Sequence, residues 1–306
     1  MTTKTGMKDF RWMLAGTILL VGGVFVVLHF HKGQSAAQQL ARRADRLERV
    51  DRIRWAMAAA AEAEKSAVMA ITDEESQRFA DQARAVTAQA EQERGKLEKF
   101  LAADGTADER RLLNQFTQDF AGFQRIDKEL LDLAVKNTNL KASSLAFGPA
   151  AAAVKEMDAA LARLPGDNVK VLRLADNARI AGWRLLALLP PHIAEESDQK
   201  MDEMEAQMTK EDREVRQSLE VLAALPNLAG NADVKAAVAS YAQFNEKRTE
   251  ILKLSRENTN VRSLTISLTQ KRNVTSLCQD ALESLHQAIA SEAIVGVTQG
   301  KVTSSR

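Results

Sequence analysis

The chain has one cysteine, Cys278, in 306 residues. It can therefore form no intramolecular disulfide, no cysteine-based zinc site and no covalent haem attachment, and the redox compartment is left open. Proline, glycine, tyrosine and tryptophan are scarce, at 5, 14, 1 and 3 residues. Ala, Leu, Glu, Lys, Arg and Gln dominate instead, which is the composition of long helices. A surplus of either charge is missing too. The 42 Lys and Arg nearly cancel 41 Asp and Glu, and the two signs are interleaved. Nothing is left over to neutralise phosphates, which argues against a nucleic-acid partner. No Gly-rich phosphate loop, nucleophile elbow or paired catalytic carboxylates stand out, so a non-enzymatic role without a cofactor is expected.

Long apolar runs are equally rare. Trp12 to Leu28 lacks any charge, His29 and Phe30 extend it, and Ala293 to Val297 is too short to be a second span. Residues 12–30 reach roughly 28 Å as a helix, close to the thickness of a bilayer core. Lys4, Lys8 and Arg11 precede the run, which predicts a cytoplasmic N-terminus over 1–11 and a single-pass anchor in the inner membrane. The far flank is also basic, at His31, Lys32, Arg42 and Arg43. A cleaved signal peptide is the competing reading, with Ser35-Ala36-Ala37 as its cleavage site, although its apolar core would be unusually long. Both readings export the rest of the chain.

The strongest positive feature is an internal repeat. ELLDLAVKNTNLKASSLAF, from Glu129 to Phe147, recurs as EILKLSRENTNVRSLTISL, from Glu250 to Leu268, at a constant offset of 121. The offset also carries Phe120 onto Tyr241, Phe123 onto Phe244 and Leu161 onto Leu282. A fixed period marks one structural unit built twice. Apolar residues recur at spacings of three and four, as in Leu113, Phe116, Phe120, Phe123, Leu130 and Leu133, or Met201, Met204, Met208, Val215, Leu219 and Leu222. That is the seam of packed helices. Asp104-Gly105-Thr106, Pro165-Gly166-Asp167, Pro190-Pro191 and Pro226–Asn231 divide the helices, and each Asn-Thr-Asn triplet reads as a tight turn. Helices are predicted near 35–70, 73–103, 107–136 and 140–164, then 168–189, 192–225, 232–257 and 260–296. The expected fold is all-α: the transmembrane helix, then two tandem antiparallel four-helix bundles at 35–165 and 166–297, with a disordered tail at 298–306.

Phe116 to Leu161 and Tyr241 to Leu282 resemble the second half of the four-helix-bundle ligand-binding domain of methyl-accepting chemotaxis receptors. The residues that carry the resemblance are FAGFQRIDKELLDLAVKNTNLKAS and YAQFNEKRTEILKLSRENTNVRSL. In that family an aromatic-bearing third helix leads into an acid-Leu-Leu pattern, a short polar turn and an amphipathic fourth helix. The resemblance implies an extracytoplasmic sensory module, usually dimeric, that binds a small molecule or a partner protein. With no second span, HAMP linker or methylation hairpin before Arg306, any signal is expected to pass to a separate membrane partner. The arginines with which such receptors bind amino acids have no match in Trp55 to Ala70. A structural tether holding a membrane-associated assembly is the alternative function.

Arg173, Arg179, Trp183 and Arg184 are the candidate ligand residues, since guanidinium groups beside an indole can hold a carboxylate. Trp183 corresponds to Trp55, displaced by about a heptad from the main offset. The same four residues also fit a purely structural role. Arg42 to Arg54 read as a salt-bridged face, with Asp45–Arg49 and Glu48–Arg52 pairs, or as a contact to anionic lipid. Glu283 and His286 have the spacing of a di-iron ligand pair, but no partner pair exists, so no metal is expected. Cys278 and the three spaced methionines fit core packing.

Overall fold

The computed structural model describes residues 6–292, with side chains from residue 37 onward. The described residues are helical almost throughout and contain no strand. α1 (Gly6–Met69), α2 (Asp73–Asp104) and α3 (Ala107–Ala134) come first. α4 (Thr138–Leu145) and α5 (Ala151–Ala162) are joined by a π turn, Ala146–Ala150. Then follow α6 (Val169–Ala194), α7 (Asp198–Ala224) and α8 (Ala232–Glu257). α9 (Thr259–Ile266) and α10 (Arg272–Ser291) flank a second π turn, Ser267–Lys271. The expected anchor over 12–30 and tail over 298–306 lie outside the residues whose side chains are described. Among the residues whose side chains are described, no helix is long and apolar enough to cross a membrane.

The breakers act through their caps. Thr106 and Glu109 form a reciprocal capping box, Thr106 N donating to Glu109 Oε2 at 2.8 Å and Glu109 N to Thr106 Oγ1 at 3.2 Å. Asn168, Ser197 and Asn231 accept from the first free amides of α6, α7 and α8. Pro190-Pro191 departs from expectation, because α6 runs through both prolines to Ala194. Burial of His192 and Ile193, with a 3.0 Å bond from Ser255 Oγ to the His192 carbonyl and one from Asn139 Nδ2 to the Ile193 carbonyl, holds that last turn helical.

The contacts divide the described residues into two compact units, and not at 165/166. The first unit takes 37–58, 86–121 and 276–292. There Val50, Ile53 and Met57 of α1, Leu97 and Leu101 of α2, Phe116 and Phe120 of α3, and Leu282, Leu285 and Ile289 of α10 are buried. Arg46 and Arg54 of α1 bond Glu292 and Glu283 respectively, so α10 runs antiparallel to α1. The second unit takes 59–85 and 122–275. Within it α4 to α8 share one hydrophobic core, including Val154, Met157, Leu185, Leu189, Leu219 and Phe244. The fourth helix of each repeat is thus exchanged. α5 packs against α8 of the second repeat, and α10 joins the helices of the first, with Val274 against Gly122 of α3.

The Asn-Thr-Asn triplets meet where the exchanged helices begin. Asn137 and Asn258 both sit in the left-handed region, at φ 51° and 52°, where an amide side chain is among the few that are tolerated. The two turns then cap each other's helices. Thr138 N donates to Thr259 Oγ1 at 3.2 Å, and Thr259 N to Thr138 Oγ1 at 3.1 Å. Asn139 N donates to Asn260 Oδ1 at 3.2 Å, and Asn260 N to Asn139 Oδ1 at 3.1 Å. Asn139 Nδ2 and Asn260 Nδ2 complete the ring by donating to Asn258 Oδ1 at 2.7 Å and Asn137 Oδ1 at 3.0 Å. Each helix start is satisfied by the other repeat, so the two turns are joined at the point from which the fourth helices leave.

Candidate functional site

Arg179 and Trp183 come together on α6, and both point at Asp158 of α5. Arg179 Nε donates to Asp158 Oδ1 at 2.8 Å and Trp183 Nε1 donates to the same oxygen at 3.2 Å. Burial pushes the Asp158 carboxyl up, but these two bonds outweigh it and leave the group below the usual carboxylate range. A second bond, from Arg179 to Asp176 at 3.2 Å, fixes the guanidinium. The carboxylate expected from a ligand is therefore supplied by the chain itself. Asp158 escaped the sequence reading because it belongs to the other repeat and reaches α6 only through the exchanged helix.

Arg184 is held more loosely, 3.7 Å from Glu211 of α7. Arg173 stands apart, exposed and without an ion pair among the described residues. Asp158, Asp176, Arg179, Ile180, Trp183 and Arg184 line a groove of about 580 Å³. Trp183 is 44% exposed. A smaller recess of about 290 Å³ shares Ile180 and Arg184 with it and adds Asn177, Lys210, Glu211 and Glu214. Guanidinium, indole and aliphatic surface in one open groove suit a small anion with an apolar body.

In the first unit, Trp55 lines a separate groove of about 560 Å³ with Leu47, Glu48, Asp51 and Arg52. The arginines around it do more than coat a solvated face. Glu48–Arg52 forms as expected at 2.6 Å, but Arg49 turns from Asp45 to Glu93 of α2 at 2.9 Å. Arg46 is buried against Glu109 of α3 at 3.1 Å. Cys278 is buried, as are Met201 and Met208. Glu283 bonds Arg54, while His286 lies 3.8 Å from Asp51. Among the described residues no group of three His, Cys, Asp or Glu is placed to hold a metal.

Two polar clusters that the sequence did not announce lie in the second unit, one around the buried His192 and one buried throughout. His192 bridges Ser255 Oγ at 2.8 Å and Glu205 Oε1 at 3.0 Å. Burial lowers its proton affinity, which Glu205 only partly restores. Glu64, Ser267, Asp127 and Lys271 form the other, with the Lys271 ammonium 3.2 Å from the Phe123 ring centre.

The family model described as a four helix bundle sensory module for signal transduction matches residues 13–176, just over half of the chain. No curated protein and no solved structure matches.

Proposed function

The chain belongs to the family of four-helix-bundle sensory modules for signal transduction, and from that premise we propose that it senses a small carboxylate in the Trp183 groove. The groove is the observation that carries this reading: an exposed indole with Arg184 only loosely paired beside it. The ligand stacks on Trp183 and takes Arg184 from Glu211, while Arg179 and Asp158 stay joined as the wall. Residues 12–30 anchor the module in the inner membrane, with the helices outside the cytoplasm. No step is catalytic. Binding shifts the packing of α5, α6 and α7, and the signal passes to a second copy or to a separate membrane protein.

Thermal-shift screening of the full chain against small carboxylates tests the proposal, because a ligand selective for the folded state raises its stability. One chemical class should raise Tm, and Trp183→Ala and Arg184→Ala should each weaken that binding about tenfold, a loss of roughly 1.4 kcal/mol. If no carboxylate shifts Tm while crosslinking recovers a stable protein partner, the sensing reading falls and the structural tether replaces it.

A further inference from the structure

The two π turns occupy the same place in the two repeats, since the offset of 121 carries Ala146–Ala150 onto Ser267–Lys271. They are held in different ways. The first contains Pro149, whose ring lacks an amide proton and, lying inside a helix, leaves the α-helical ladder one bond short. Its inward residues, Ala146 and Ala150, are small, apolar and buried. The second has no proline. Its inward residues are Ser267 and Lys271, also buried, and each is tied to an acid on another helix. Ser267 Oγ donates to Glu64 of α1 at 2.7 Å, and Lys271 Nζ donates to Asp127 of α3. One bulge coincides with a proline, whereas the other is tied to two acids. Single π turns of this kind recur at functional sites.

We propose that the Ser267–Lys271 turn is a proton-controlled joint, closed while Glu64 is neutral and loosened when that carboxyl ionises. Glu64 is 1% exposed and forms no ion pair of its own among the described residues. With Glu64 protonated, the buried Asp127 and Lys271 charges balance. Once it ionises, the sealed cluster holds one negative charge too many, and exposing it to water is the cheapest relief. The charged groups around Glu64 are Lys271 from the turn, Asp127 from α3 and Lys65 from α1 itself. The buried residues that α2 gives to the same unit, Ser76, Ala80 and Ala83, carry no charge, and its Arg84 pairs with Asp81 and Asp132. Burial raises the Glu64 carboxyl above its ordinary 4.5, against the pull of Ser267 and Lys271. A raised acid stabilises the closed state fully below the unfolded value of 4.5 and loses that contribution as pH rises through the folded value. The joint therefore opens on the alkaline side. It needs no ligand at Trp183, so an empty carboxylate screen leaves it standing.

Hydrogen exchange on the full chain at stepped pH tests it, with the Pro149 turn as internal reference. After correction for intrinsic rates, amides around 263–275 should exchange at least about tenfold faster, relative to those around 142–154, once pH passes the transition. Glu64→Gln, which stays neutral, should abolish that change. Ser267→Ala should move it to higher pH, since the hydroxyl bond favours the ionised acid. A ratio between the two turns that is constant with pH, or a transition that persists in Glu64→Gln, overturns the proposal. Should Glu64→Gln lose its helical circular dichroism, the Ser267→Ala shift decides, and its absence is equally fatal.

Discussion

Asn258 makes two contributions to the paired turns that separate substitutions can resolve. Its backbone holds φ at 52°. Its side chain accepts from Asn139 and donates to the Glu195 carbonyl at 2.7 Å. Asn258→Gly removes the side-chain bonds but meets the left-handed backbone freely, while Asn258→Ala loses both. The alanine variant should be less stable than the glycine variant by about 1 kcal/mol, and both less stable than the parent, by urea denaturation. Equal stability of the two variants would show that the left-handed turn does not persist. At this scale the triplet was legible as a turn, because Asn and Thr cap well and propagate helices poorly. Its partner was not legible, since no local pattern says that two turns 121 residues apart satisfy each other's amides; only the repetition of the triplet hinted at it. The arginines of α1 teach the same point. Glu48–Arg52 lies four residues apart and could be read, whereas Glu93 draws Arg49 away from Asp45 across helices.

Helices were the most legible level, for the apolar spacing and the capping residues both survive without tertiary information. The expected 107–136, 232–257 and 73–103 lie within two residues of α3, α8 and α2. The failure at Pro190-Pro191 has a physical origin. Helix propensity weighs the lost hydrogen bonds and the ring clash, but it cannot see that His192 and Ile193 are buried and pinned from Ser255 and Asn139. Pro191 is exposed, so replacing it removes little packing. If α6 is continuous there, Pro191→Ala relieves a clash and should raise stability by on the order of 1 kcal/mol. In a chain that broke at residue 189, the same change would lower stability slightly, because proline restrains the unfolded state. The sign of the change in urea midpoint decides between them.

Connectivity was the least legible level. Eight helical segments in two similar halves look alike whether each half closes on itself or trades its fourth helix. Both arrangements bury the same residues, and Phe123 or Leu282 would be core in either. The candidate groove inherits this ambiguity, because Asp158 reaches Arg179 and Trp183 only by way of the trade. A covalent test separates the two arrangements. A Cβ built on Gly122 of α3 lies 3.4 Å from Val274 Cγ2 of α10, within reach of disulfide geometry after modest adjustment. With Cys278 replaced by alanine, Gly122→Cys combined with Val274→Cys should oxidise to an intramolecular disulfide, detected as a 2 Da mass loss (about twice the mass of hydrogen) and as faster migration on a non-reducing gel. Closing a loop of this length should also raise stability by up to about 5 kcal/mol, because the crosslink restricts the unfolded chain. Two bundles closed in sequence order would bring α10 to α8 and leave both thiols free. Thiols that remain alkylatable under oxidising conditions would therefore restore the boundary at 165/166 and remove Asp158 from the groove.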